Sequence, residues 1–208
     1  MKYVCVLLSL FLVSFAAHAD EVCTYTDWEW DVNLKKAVNI RDVETTRDQL
    51  PPEQMHPDLP CSICEEDMTE IKIDNLVPIK VCRAVAPAIK DAIRQSINEG
   101  FRFQSLTGYR VGRTKGPVDE AGLRTEYSNH SFGLAIDINA EANGLYTNCF
   151  IFGPDCELIR GGLWQPGNPA SITRDSPVYR NMRAIGFKWG GELEGRQKDF
   201  MHFSLDGD

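Results

Sequence analysis

Beyond residue 19 the chain contains three histidines, His56, His130 and His202, and two of them stand where a metal can be held. His130 opens the run Ser128-Asn129-His130-Ser131-Phe132-Gly133-Leu134-Ala135-Ile136-Asp137, an apolar stretch that ends in a carboxylate. A lone carboxylate there is costly if buried. A divalent cation beside Asp137 removes that cost and takes the neutral imidazole of His130 as a second ligand. Strict alternation over seven residues would put the two side chains on opposite faces, so the pairing requires a bend, and Gly133 is where a bulge can supply it. His202, in Asp199-Phe200-Met201-His202-Phe203, supplies a third ligand. Two imidazoles and one carboxylate leave the fourth position of a tetrahedral site for water, the arrangement of a hydrolytic centre. Zinc suits that donor set better than magnesium or calcium, which ask for more oxygens.

Hydrolysis also needs a general base. Asp199, three residues before His202, is the best placed candidate if the chain turns between them; Glu192 and Glu194 are weaker alternatives. Arg110, at the tip of Gly108-Tyr109-Arg110, has the planar fork that holds a substrate carboxylate. Each residue also has a plainer reading. Asp137 can cap or form an ion pair, His202 can be a satisfied core histidine, and Arg110 a solvated turn residue. Their joint occurrence in this order favours the metal site.

The elements that must position these residues read as α+β. Val85, Ile89, Ile93 and Ile97 recur every four residues with Ala84, Ala88 and Ala92 alongside, which predicts a helix from about residue 86 to Asn98, stopped at Gly100. Phe101–Thr107 has the content of a strand, Gly112–Gly122 reads as a surface loop, and Ser131–Asn139 as a further strand. Asp175-Ser176-Pro177 begins a short helix over Tyr179–Ala184, and Phe187–Trp189 and Phe200–Leu205 form two last strands. Helices and strands do not alternate regularly, so an antiparallel sheet flanked by helices is expected. Residues 20–75 show no sustained periodicity and read as an irregular, cysteine-stapled extension, with Trp28 and Trp30 as its anchors, ahead of a single domain over 76–208.

At 208 residues, 43% hydrophobic and 25% charged, the chain lies in the globular range. Residues 1–19 run from Lys2 through an apolar stretch to Ala17-His18-Ala19 and read as a secretory signal peptide, too short to span a bilayer. Cleavage takes away Lys2 and no acidic residue, moving the formal charge from −8 to −9. Such an acidic protein without a basic stripe is no candidate for nucleic-acid binding. Six cysteines remain, an even count that favours disulfides in an exported chain and permits fifteen pairings. Cys149 and Cys156 bracket a short loop and are expected to pair. Cys61-Ser62-Ile63-Cys64 lies in a proline-rich stretch without a βα context or a second such motif, so structural disulfides are favoured over a redox or zinc role.

These residues resemble the family of zinc D-Ala-D-Ala carboxypeptidases and L-alanyl-D-glutamate endopeptidases, which share a fold with the amino-terminal domain of hedgehog. Ser128, His130, Gly133, Ala135 and Asp137 fill every fixed position of the family pattern Ser-x-His-x-x-Gly-x-Ala-x-Asp. Asp199, His202 and Phe203 meet its second element, and Trp189-Gly190-Gly191 and the turn carrying Arg110 are also similar. The resemblance spans roughly residues 80–206. It implies a hedgehog/DD-peptidase-like fold, zinc on His130, Asp137 and His202, Asp199 as base, and Arg110 with Ser128 toward the substrate. The implied substrate is a peptidoglycan stem peptide, met outside the cytoplasm, in the periplasm or beyond, by a monomer with no stable membrane insertion. Two rivals remain: a non-catalytic zinc-containing cell-wall binding module, for which Asp199 would be superfluous, and a metal-free disulfide-stapled inhibitor or wall protein.

Overall fold

The computed structural model describes residues 21–73 and 75–207. The expected signal peptide, residues 1–19, lies outside the described residues.

The chain begins with a long antiparallel hairpin, β1 (Val22–Asp31) and β2 (Lys36–Thr46), paired from Val22–Thr46 to Asp31–Lys36. The expectation of an irregular extension is therefore corrected. Charged and β-branched residues are interspersed along β2, but most of its side chains are exposed, so the hydrophobic contrast that reveals a strand in sequence is missing. A short hairpin follows, β3 (Met68–Ile71) with β4 (Ile79–Cys82). Helix α1 covers Ala86–Asn98, as its spacing predicts, with Pro87 in the first turn and Gly100 at φ +94° just beyond its end.

Only Leu106–Thr107 of the expected 101–107 strand pairs as one, β5. Residues 102–105 are held instead by the side chain of Asn139, whose amide accepts from the backbone N–H groups of Gln104 and Ser105 and donates to the carbonyl of Arg102. A second correction concerns 112–122, read as a loop. There β6 (Arg113–Val118) forms an irregular hairpin with β7 (Arg124–Tyr127), with Gly116 at φ +74° in a break of register. This hairpin joins the first one in a sheet of order β2-β1-β6-β7.

β8 (Ala135–Ile138) is shorter than the strand expected over 131–139, because Asn129–Phe132 coils into a 3-10 turn that Gly133 ends at φ +64°. β9 (Leu145–Thr147) and β10 (Glu157–Arg160) flank the loop closed by Cys149–Cys156. Helix α2 is Pro177–Ala184, with Ser176 at its cap position, although the Ser176 hydroxyl accepts from Thr173 N–H rather than from the helix. The last strands are β11 (Lys188–Trp189), β12 (Lys198–Asp199) and β13 (His202–Ser204).

The antiparallel sheet that matters for the site has the order β11-β13-β8-β5. Ile136 and Ile138 of β8 and Phe203 of β13 are fully buried and pack in one core with Ile89 and Ile93 of α1 and with Val178 and Met182 of α2. The period of two then sends Asp137 and His202 to the opposite face. The architecture is α+β, as expected. Two further disulfides, Cys23–Cys64 and Cys61–Cys82, tie the first hairpin to the 61–64 segment and that segment to β4, so neither cysteine of the CxxC pairs with the other.

Candidate metal centre

Asp137 is opposite His202 on one side and Thr107 on the other, so these three side chains form one row across the face of the sheet away from the helices. His130 reaches the same row from the 3-10 turn. Gly133 makes this possible: its left-handed conformation turns the chain between His130 and Asp137, and a Cβ there would lie 2.4 Å from the backbone N of Cys82. The bend expected at Gly133 is a helical turn rather than a bulge.

His130 Nε2 and His202 Nδ1 each lie 3.1 Å from Asp137 Oδ1. The donor atoms of the three residues fall within 4.8 Å of one another, and all three residues are buried. His130 Nδ1 is 2.8 Å from the carbonyl of Gly108, which accepts only from an N–H. In the neutral imidazole the proton is then on Nδ1, and Nε2 presents a lone pair toward a carboxylate oxygen. Lone pair facing carboxylate is repulsive unless a proton or a metal cation lies between them.

The ionisation of the group reflects this contest. Burial alone disfavours the Asp137 carboxylate, but His130 and His202 overcome it and hold the carboxyl well below its ordinary range. Burial lowers His130 against the pull of Asp137, whereas in His202 the hydrogen bond and charge of Asp137 outweigh burial and raise the imidazole. Arg110 donates from Nη2 to Asp137 Oδ2 at 3.1 Å, and its backbone N–H donates to the carbonyl of His130. The turn 108–110 thus fixes both His130 and Asp137.

Phe200 and Met201 form a turn between β12 and β13, so Asp199 does stand before a change of direction ahead of His202. Burial pushes the Asp199 carboxyl up to about 6, with the charge of Asp137 adding to the rise and His202 opposing it. Among the described residues, five buried side-chain nitrogen or oxygen atoms lack a hydrogen-bond partner, and four of them are Asp199 Oδ1, His202 Nε2, Arg110 Nε and Ser128 Oγ. Buried polar atoms are ordinarily paired, so their concentration in the expected site residues marks a place prepared for something else to bind.

Residues 121–205 match the model of the D-alanyl-D-alanine carboxypeptidase family. No solved structure matches the chain. The matched peptidase segment contains Ser128, His130, Asp137, Asp199 and His202, and the α+β architecture agrees with the hedgehog/DD-peptidase-like class. Arg110 and both disulfides of the N-terminal part precede it.

The donor set fits the metal such peptidases take: two imidazoles, one carboxylate oxygen, one histidine tautomer fixed by a backbone carbonyl, and uncompensated lone pairs facing one another. Glu192 Oε1 is occupied by Arg174 and Tyr179, and Glu194 is exposed. His56 accepts from the N–H groups of Asp58 and Leu59 and takes no part in the cluster. The carbonyl of Gly108, which sets the His130 tautomer, was not accessible to sequence reasoning because it is a backbone group with no residue type to announce it.

Proposed function

We propose that the protein is an exported zinc-dependent peptidase that hydrolyses peptidoglycan stem peptides, at D-Ala-D-Ala as a carboxypeptidase or at L-Ala-D-Glu as an endopeptidase. The observation that carries this reading is the meeting of His130 Nε2, Asp137 Oδ1 and His202 Nδ1, with the unpartnered carboxyl oxygen of Asp199 close by in sequence and electrostatic reach. Zinc bound to the three would supply a Lewis acid and a water made acidic enough to lose its proton near neutral pH.

The remaining chemistry belongs to the chain. Asp199, with a carboxyl near pKa 6, accepts a proton from the attacking water and returns it to the leaving amine. Arg110 keeps Asp137 in place through Oδ2 and offers its unpaired Nε–H to a substrate carboxylate. Ser128 presents a buried hydroxyl without a partner to a polar group of the peptide. Three disulfides and the absence, among the described residues, of any helix long and apolar enough to cross a membrane agree with export.

The test is metal analysis of the purified protein and of Asp199→Ala, followed by incubation of each with peptidoglycan and mass spectrometry of the products. About one zinc in each, with cleavage by the parent only, is expected and names the bond. Zinc without cleavage in either makes the protein a zinc-containing wall-binding module, and no zinc in either removes the proposed centre.

A further inference from the structure

Beside the metal centre, on the Thr107 side of the row, lies a cleft of about 450 Å³. None of the three clustered residues lines it, but two of its lining residues adjoin Asp137. Thr107 lines it and is the cross-strand neighbour of Asp137, which puts their side chains roughly 5 Å apart on one face. Arg110 lines it while its guanidinium holds Asp137.

The far wall comes from β1, which precedes the segment matched to the peptidase family. Trp28 and Thr26 project from it. Trp28 is half-buried with its indole laid against Gly112, where a Cβ would lie 2.3 Å from the ring, so the wall seats only on a glycine. The strand is held there by a buried charge. Asp27 is 2% exposed and binds Arg113 of β6 at 3.2 Å and Arg41 of β2 at 3.0 Å, while Cys23–Cys64 ties down the start of the strand. The cleft thus combines a fixed aromatic wall, the hydroxyl of Thr107 and that of Thr26, which donates to Asp42, the guanidinium of Arg110, and a rim ion pair, Lys80 with Glu65, at 3.2 Å. Aromatic and hydroxyl surface with both charge signs suits an extended peptide; a polyanion would want cations only.

We propose that this cleft is an extended-substrate subsite, in which the N-terminal hairpin, through Trp28, binds the part of a peptide that lies beyond the residues at the metal centre. The inference rests on the peptidase reading. Trp28 is a specificity residue here, acting on how long a peptide the protein prefers rather than on the bond-breaking step.

The experiment compares a stem pentapeptide with the shortest fragment of it that the zinc-loaded wild type still cleaves, using wild type, Trp28→Ala and Thr26→Trp. The last variant fills the cleft from an exposed position and leaves the Trp28–Gly112 packing intact. In both variants KM for the pentapeptide is expected to rise about tenfold, as truncating or blocking a central aromatic contact does, with kcat and the short-fragment KM within twofold. An unchanged pentapeptide KM in both variants, or an equal loss on both substrates, overturns the subsite. Calorimetric titration of the pentapeptide into Asp199→Ala, with and without Trp28→Ala, judges the cleft without turnover. Binding weakened about tenfold supports it; equal affinity, or no binding to either, overturns it. Wild type that cleaves neither peptide instead fails the peptidase reading, and the titration separates the two failures.

Discussion

His130, Asp137 and His202 bring two imidazoles and a carboxylate to one point, and the response of the protein to pH follows from that. In metal-free protein the Asp199 carboxyl sits at about 6 against an ordinary 3.8, so between those values the native state holds a proton that the unfolded chain has lost. Stability from this group is therefore full at acid pH and falls as pH rises toward 6. His202, also raised, extends the decline upward from the ordinary histidine range. Burial lowers His130, so that imidazole contributes a rise with pH up to the ordinary histidine range that runs against the Asp199 fall. Urea unfolding from pH 4 to 8 is therefore compared between metal-free wild type and Asp199→Asn, and the stability difference between the two is expected to fall as pH rises toward 6. An unchanged slope in Asp199→Asn would show that the carboxyl is not perturbed. Loss of a ligand is a larger matter. Asp137→Asn is expected to weaken zinc binding by more than the roughly 10–100-fold typical of removing an outer-sphere partner, read by chelator competition. Much of this was legible in the sequence: histidine and aspartate in an apolar run are conspicuous by type. The fixed tautomer was not, since it depends on a carbonyl.

At the level of elements, Gly133 is the hinge on which the site depends. Its φ of +64° ends the 3-10 turn bearing His130 and starts the strand bearing Asp137, and its Cα hydrogen faces Cys82 N and Met68 Sδ without space for a methyl group. Gly133→Ala is expected to cost on the order of 2–3 kcal/mol from strain and overpacking, with zinc affinity falling together with the melting temperature. Retained zinc affinity in a folded Gly133→Ala would separate the turn from the site. The sequence announced this bend, as it announced α1, because glycine and a four-residue apolar repeat are local signals. It concealed β2, β6 and β7, whose side chains are half-buried or exposed with none fully buried and whose partners are set by tertiary pairing, such as Glu29 of β1 beside Arg113 of β6. For the same reason Phe101–Ser105 looked like a strand, although Asn139, more than thirty residues away, holds its backbone in another shape.

At the level of the molecule, the N-terminal hairpin belongs to the same body as the site. Cys23–Cys64 and Cys61–Cys82 close loops with separations of 41 and 21 residues, and each is expected to contribute about 2–4 kcal/mol by restricting the unfolded chain. Replacing Cys23 and Cys64 together by serine is expected to lower the melting temperature by several degrees and to raise exchange of the β1 amides, measured by hydrogen–deuterium exchange, more than those of β8 and β13. Uniform exchange across all three strands would argue that the hairpin has no independent opening.

The third disulfide bears on how the protein survives among proteases. Cys149 and Cys156 close a loop whose tip exposes Phe150 and Ile151, with Ile151 89% accessible, an inviting bond for an endoprotease with apolar preference. A cut there would separate the half carrying His130 and Asp137 from the half carrying Asp199 and His202. The two ends would remain joined through sulfur, and the central sheet would still hold β13 against β8. A nicked molecule would then run as one band without reductant and two with it, and would keep all the residues of its centre in register.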